Sequence, residues 1–266
     1  MSDDRQPLLV LDGITKRYGA IEALRGVSFS VDRGEVVALL GDNGAGKSTL
    51  VKIIAGGLEP TTGQLMFEGR DHVFASPSEA KAAGIETVYQ DLSLCTNVDV
   101  TANFFMGREL TRKVLGIPIL RRKEMEAETA KALVAGGTHI PSLRVNVEHL
   151  SGGQRQAIEL NRFVHWGGKL VLLDAPFAAL GVEQTRRGLE MVERVRARGI
   201  GVMIITHVMA QAFAVADRIV VLRHGLVAGN VRTEDSSPDE VVRMITGGIG
   251  RIARGNAHQP ETGAGT

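Results

Sequence analysis

Cysteine is almost absent from this 266-residue chain, where Cys95 stands alone. A single thiol cannot close an intramolecular disulfide, and nothing around it spaces like a zinc site, so the usage suits a reducing cytosol. An excess of one charge is also missing. Lys and Arg number 31 against 30 Asp and Glu, for a formal net charge of +1, which gives no broad basic field for a nucleic acid. Nor is there a long apolar run. The longest uncharged stretch, Gly199–Ala216, is interrupted by Thr206, His207 and Gln211, and it reads as a buried strand passing into a helix, too polar for a membrane span. The N-terminal Met1-Ser2-Asp3-Asp4-Arg5 lacks the basic-then-apolar build of a signal peptide. Work at a membrane would therefore depend on integral partners. No internal repeat is visible, and only residues 255–266 read as disordered.

What is present is the composition of a globular protein, 44% hydrophobic and 23% charged. Leu8–Leu11, Val27–Val31, Val36–Leu40 and Gln64–Phe67 are short apolar or alternating runs bounded by turn residues, which predicts strands. Helices are predicted from Lys47 to about Ala55 and from Ser76, where Pro77 suits the first helical position and Glu79 a capping box. Arg121–Ala135 is rich in good helix formers. From Ser151 onward helices alternate with strands at Leu170–Leu173, Gly201–Ile205 and Arg218–Leu222, with a helix expected over Val182–Arg198. Arg223-His224-Gly225 reads as a turn into a further strand, and Ser237-Pro238 starts a last helix. Such alternation implies parallel strands with helical crossovers. The expectation is one α/β domain over residues 5–250 with a helical insertion at about 91–150, then a flexible tail at 251–266.

Residues 41–48 read Gly-Asp-Asn-Gly-Ala-Gly-Lys-Ser, a full match to GxxxxGK[ST] placed after a strand and before a helix. Gly41, Gly44 and Gly46 let the backbone wrap so that its N–H groups converge on phosphate oxygens, and the helix start adds positive potential. Lys47 is placed to reach the outer phosphates and Ser48 to ligate Mg²⁺. Many nucleotide-binding families share this loop. The apolar run Leu170-Val171-Leu172-Leu173 ends in Asp174, a carboxylate suited either to a bound Mg²⁺ or to an ordinary cap.

Leu150-Ser151-Gly152-Gly153-Gln154, shortly before that Asp, makes the likeness specific. With the phosphate loop it resembles the signature motif of the ABC ATPases. The resemblance covers about residues 8–247. It implies a P-loop core of mixed sheet, with an N-terminal antiparallel β-subdomain and an inserted α-helical subdomain. It also implies ATP and Mg²⁺ as ligands, with Asn43 and Thr49 joining the P-loop set. Ser151, Gly152, Gly153 and Gln154 would face the P-loop of a second subunit. Tyr18 resembles the adenine-stacking aromatic residue, Gln90 the Q-loop glutamine near Mg²⁺ and the attacking water, and His207 the switch histidine at the γ-phosphate. The phrases Tyr89–Leu94, Val164–Lys169 and Ala179–Val182 are similar to ATP-binding subunits of ribose- and fructose-type importers. That likeness implies permease partners, a periplasmic sugar-binding protein, and a cytoplasmic position on the inner face of the membrane, with residues 90–108 as the docking candidate.

The pattern breaks after Asp174. Where the family has Glu, this chain has Ala175, and Phe177 replaces a small polar residue. Glu159 and Asn161 stand where relatives tend to carry small apolar residues. A positioned base contributes on the order of 10²–10⁴ in rate. Three readings stay open: a transport ATPase that positions water by other means, a binding switch with vestigial hydrolysis, and a soluble ABC ATPase outside transport.

Overall fold

The computed structural model describes residues 6–88, 94–166, 168–175 and 181–247. Gln90, Phe177 and the 251–266 tail lie outside the described residues.

The apolar runs of the second half join two strands of the first half in a 6-stranded sheet ordered β12-β11-β3-β10-β9-β6. Its strands are β3 (Val36–Gly41), β6 (Ile85–Val88), β9 (Leu170–Asp174), β10 (Gly201–Ile205), β11 (Arg218–Arg223) and β12 (Leu226–Arg232). All pair in parallel except β12, which returns antiparallel along β11. Continuous apolar sequence suits strands covered on both faces, and the side chains divide with the period of two that a strand imposes. Val37, Leu39, Leu170, Leu172, Met203 and Ile205 enter one core. Val36, Ala38, Leu40, Val171, Leu173, Val202 and Ile204 enter the other.

The first core is closed by β1 (Leu9–Tyr18), β2 (Ile21–Val31) and β4 (Thr62–Phe67), together with helix α1 (Lys47–Ile54), while the short β5 (Arg70–Asp71) extends β4 at the surface. These strands form an antiparallel sheet ordered β2-β1-β4-β5. β1 and β2 are longer than their apolar runs predict, because paired polar segments at their far ends, such as Thr15 with Arg25, continue the ladder. The second core is covered by α6 (Val182–Arg196), α7 (Met209–Val215) and α8 (Pro238–Thr246). Ser237 caps α8 as predicted, accepting from the Glu240 N–H at 3.3 Å. At α2 (Pro77–Ala83) the capping box is displaced by one residue, since the Glu79 carboxylate accepts from the Ala75 N–H at 3.0 Å.

The insertion is only partly helical. It holds α3 (Val100–Phe105) and α4 (Arg122–Ala135) ahead of α5 (Gly152–His165), but between α3 and α4 lies a hairpin of β7 (Thr111–Val114) and β8 (Ile117–Leu120). Its Leu115-Gly116 turn was not foreseen as a hairpin signal. The lobe has its own core of Val100, Phe104, Phe105, Met125, Leu133 and Ile158. Buried Asn103 stitches the incoming chain to α3, donating to the Cys95 carbonyl at 2.9 Å and accepting from the Cys95 N–H at 2.8 Å.

Candidate nucleotide site

The functional candidates gather at the C-terminal edge of the six-stranded sheet, where ligands of open α/β folds bind. Ile205 pairs with Leu39 on one side and Asp174 on the other. The ends of β3, β10 and β9 are therefore level, and β3 and β9 lie about 10 Å apart with β10 between them. Lys47 opens α1 directly after the β3 loop, Asp174 closes β9, and His207 follows β10.

The β3–α1 loop needs its glycines. Gly41, Gly44 and Gly46 have φ of 151°, 79° and 106°. A Cβ on Gly41 would collide with the Leu222 carbonyl oxygen, and one on Gly46 would stand 2.7 Å from the Ala23 carbonyl oxygen. Gly44 meets no neighbour, so only its backbone angle calls for glycine. Lys47 folds back into the loop, its Nζ donating to the carbonyls of Gly41 at 2.7 Å and Asp42 at 2.9 Å. Ser48 is exposed, while Asn43 is exposed beside Asp42, whose carboxylate accepts the Asn43 N–H. Thr49 lies half-buried one residue further along α1.

Burial lowers the pKa of Lys47, opposed by the nearby charges of Asp42 and Asp174. Burial raises that of Asp174, opposed by Lys47. A cation and a carboxylate thus share a partly dried recess beside the exposed loop residues Asp42, Asn43 and Gly44, which suits a phosphate group with a hard cation. Among the described residues no three His, Cys, Asp or Glu side chains cluster as a metal cage. A Mg²⁺ here would be held by Asp174, Ser48 and the phosphates, a common arrangement for this ion.

Two further contacts support the site. The β11–β12 turn, with His224 and Gly225 at φ of 49° and 77°, braces the loop from below. Gly225 N–H donates to the Ala45 carbonyl at 3.1 Å, and the Gly225 carbonyl accepts from Arg25 N–H at 2.8 Å. Buried Thr206 donates to Gln211 Oε1 at 2.9 Å and accepts from the Val208 N–H at 3.0 Å, fixing the bend that carries exposed His207. A Thr-His step after a strand, with Gln four residues on, was the available signal. Tyr18 ends β1, 47% exposed, with Lys16 Nζ 5.6 Å from its ring.

Ser151 stands apart from these groups in sequence and caps α5. Its Oγ accepts from the Gln154 N–H at 3.3 Å, and Gln154 Oε1 accepts from the Ser151 N–H at 3.0 Å. Gln154 is thereby committed to the helix cap. A Cβ on Gly153 would meet nothing within 4 Å.

The ABC transporter family model matches residues 24–178, more than half of the chain. The xylose/arabinose import ATP-binding protein XylG of Sulfolobus acidocaldarius is 43% identical over 249 residues, covering 93% of this chain and 98% of that protein. The chain belongs to the ABC transporter ATP-binding family. This ABC protein is also 40% identical to the fructose import ATP-binding protein FrcA of Rhizobium meliloti, over 91% of this chain and 95% of that protein. It is 37% identical to the ribose import ATP-binding protein RbsA of Yersinia pestis, of which it spans 47%. Among solved structures, a nucleotide-free ATP-binding cassette from an ABC transporter matches at TM-score 0.76 and 26% identity, over 92% of this chain and 100% of that one. A cassette in its ADP conformation matches at TM-score 0.75 and 25% identity, over 91% and 95%.

Two residues of this ABC chain, Ala175 and Asn161, have definite structural settings. Ala175 follows Asp174 at φ 47°, a left-handed backbone that its N–H, donating to the Ile205 carbonyl at 2.8 Å, helps to hold. Asn161, buried in α5, donates to Thr138 Oγ1 at 3.0 Å and the Ala157 carbonyl at 2.8 Å, and bare Gly136 leaves room for it. It ties α5 to the segment after α4. Glu159 is buried in the same helix.

Proposed function

We propose that this chain is the ATP-binding subunit of a monosaccharide importer, closing on a second nucleotide-binding subunit when ATP binds and driving integral permease subunits. The observation that carries the reading is the meeting of Lys47, Asp174 and His207 at one sheet edge, beside a loop whose Gly41, Gly44 and Gly46 hold positive φ, Gly41 and Gly46 with no room for a Cβ. The sugar class is inferred from the printed names of XylG, FrcA and RbsA.

In this reading the amides of Gly41, Asn43, Gly44 and Gly46 cradle the phosphates, with Lys47 and Thr49 beside them, and Tyr18 stacks on adenine. Lys47 exchanges its loop carbonyls for the outer phosphates. Ser48, Asp174 and Gln90 would hold Mg²⁺, which supplies charge neutralisation at the phosphoryl group. His207, on the bend fixed by Thr206, contacts the γ-phosphate. Ser151, Gly152 and Gly153 face the nucleotide on the partner subunit, and Gln154 acts by capping the helix that presents them. Glycine early in a helix weakens it by up to about 1 kcal/mol relative to Ala. Among the described residues nothing lies within 4 Å of a Cβ at Gly153, which supports close approach by something outside the chain. Ala175 supplies no base, so the proposed hydrolysis is slow and closed dimers are long-lived.

No helix among the described residues is long and apolar enough to cross a membrane. The subunit is proposed to sit on the cytoplasmic face of the membrane through its permease, which a periplasmic sugar-binding protein supplies. The test is ATP binding by the purified chain, and ATP-driven sugar uptake after co-reconstitution with the permease. Lys47→Ala should weaken ATP binding at least about tenfold by removing a charge-assisted contact. Unchanged binding would sink the phosphate-loop assignment, and uptake of a non-sugar solute instead of a sugar would sink the substrate class.

A further inference from the structure

Large apolar side chains are exposed at scattered positions, but five crowd into one short stretch: Val114, Leu115, Ile117, Ile119 and Leu120. They belong to the β7–β8 hairpin, every residue of which is exposed. Among the described residues β7 and β8 form a two-stranded sheet, paired only with each other. A hairpin without a third strand or a covering helix is marginal in water.

The turn adds to the problem. Leu115 and Gly116 are its central residues, both with positive φ, 50° and 83°. Asn-Gly or Asp-Gly is the favourable choice for such a turn. Leucine strains there, yet Leu115 occupies the tip with its side chain 99% exposed. Water does not reward an apolar residue in that place, so the sequence points to another environment.

The flanks indicate which one. Arg112, Lys113, Arg121, Arg122 and Lys123 bracket the apolar tip. Arg121 pairs with Glu124, and Arg122 with Asp99 and Glu126. Arg112, Lys113 and Lys123 have no carboxylate partner among the described residues, and the Glu109 carboxylate is taken by the Gly107 N–H at 3.0 Å. An apolar tip with unpaired cations at its base matches the layering of a bilayer surface, acyl chains below anionic headgroups. A protein socket would favour aromatic anchors, and residues 111–120 contain none.

We propose that the β7–β8 hairpin is a lipid-contacting element. Leu115 and Ile117 enter the interface of an anionic bilayer while Arg112, Lys113 and Lys123 meet the lipid phosphates. The contact is weak and reversible, and it orients the subunit against the membrane surface. It depends neither on nucleotide nor on which solute is carried.

The test is flotation of the purified full chain with phosphatidylcholine vesicles, with and without phosphatidylglycerol. Binding is expected only to the anionic vesicles, and it should fall as salt is raised. Arg112→Gln with Lys113→Gln should lower it by about fivefold per cation removed. Leu115→Asp with Ile117→Asp should remove it, while ATP binding by each variant stays unchanged and reports a folded protein. Four outcomes would overturn the proposal: no binding of the unaltered chain to anionic vesicles, equal binding by the variants, binding only to vesicles that contain the permease, or salt-insensitive self-association lost with Leu115→Asp. The permease outcome would assign the hairpin to a protein partner, and the last to a second copy of the chain.

Discussion

Lys47 and Asp174 each hold the other in its charged form against the burial that disfavours charge on both. Neither attraction wins. Burial is the larger effect at each residue, so the Lys47 pKa stays lowered and the Asp174 pKa stays raised. In the proposed function, phosphate and Mg²⁺ stand between them.

Asp174→Asn should stabilise the nucleotide-free chain. With a raised pKa, the folded state binds the Asp174 proton more readily than the unfolded state does. Stability therefore falls as pH rises from the ordinary carboxyl value through the raised one, and the ionised group weighs fully against folding above it. The amide removes that dependence, so the melting temperature at neutral pH should rise and its acid-side slope should flatten. Stabilisation by Mg²⁺-ATP should shrink in the same variant. A lower melting temperature without nucleotide would contradict the assignment of Asp174 as a residue held at the expense of stability. Lys47 has the opposite sign, its lowered pKa making stability rise with pH between the lowered and ordinary values.

Ser151 is both a helix cap and a proposed nucleotide contact, and the two roles can be separated. Aspartate caps as well as serine and suits the helix start, but it places negative charge where a partner's phosphate must lie. Ser151→Asp should leave stability within about 0.5 kcal/mol and abolish ATP-dependent dimers in sedimentation. Ser151→Ala should lose about 1 kcal/mol and retain some dimer. Dimers that persist in the aspartate variant would exclude this helix start from the sandwich.

Ala175 carries a base-free position on a left-handed backbone. Ala175→Gly relieves that backbone and should add about 1 kcal/mol of stability without changing turnover. Ala175→Glu should raise phosphate release by roughly 10²-fold at unchanged ATP affinity, because a base acts on the transition state. Ala175→Gln should give no comparable gain. Brisk release by the unaltered chain would show that water is positioned without a carboxylate at this residue. Absence of rescue, even with Phe177→Thr added, would move attention to Glu159 and Asn161.

The sequence by itself determined the parts whose chemistry is local. A strand, a glycine loop and a helix start must follow one another to make a phosphate cradle, so residues 41–48 were legible at sight. The apolar runs at 36–40, 170–173 and 201–205 were equally so, because strands covered on both faces leave no polar position. Tertiary structure decided what depends on distant pairing. It brought Lys47 and Asp174 together across β10, set the 223–225 turn beneath the phosphate loop, and fixed the His207 bend through Thr206 and Gln211. It also decided the β7–β8 hairpin. No period-two alternation marks 111–120, and Leu-Gly is a poor hairpin signal, because every residue of that ribbon is exposed. Patterning reports burial, and an element buried against nothing of its own leaves no pattern to read.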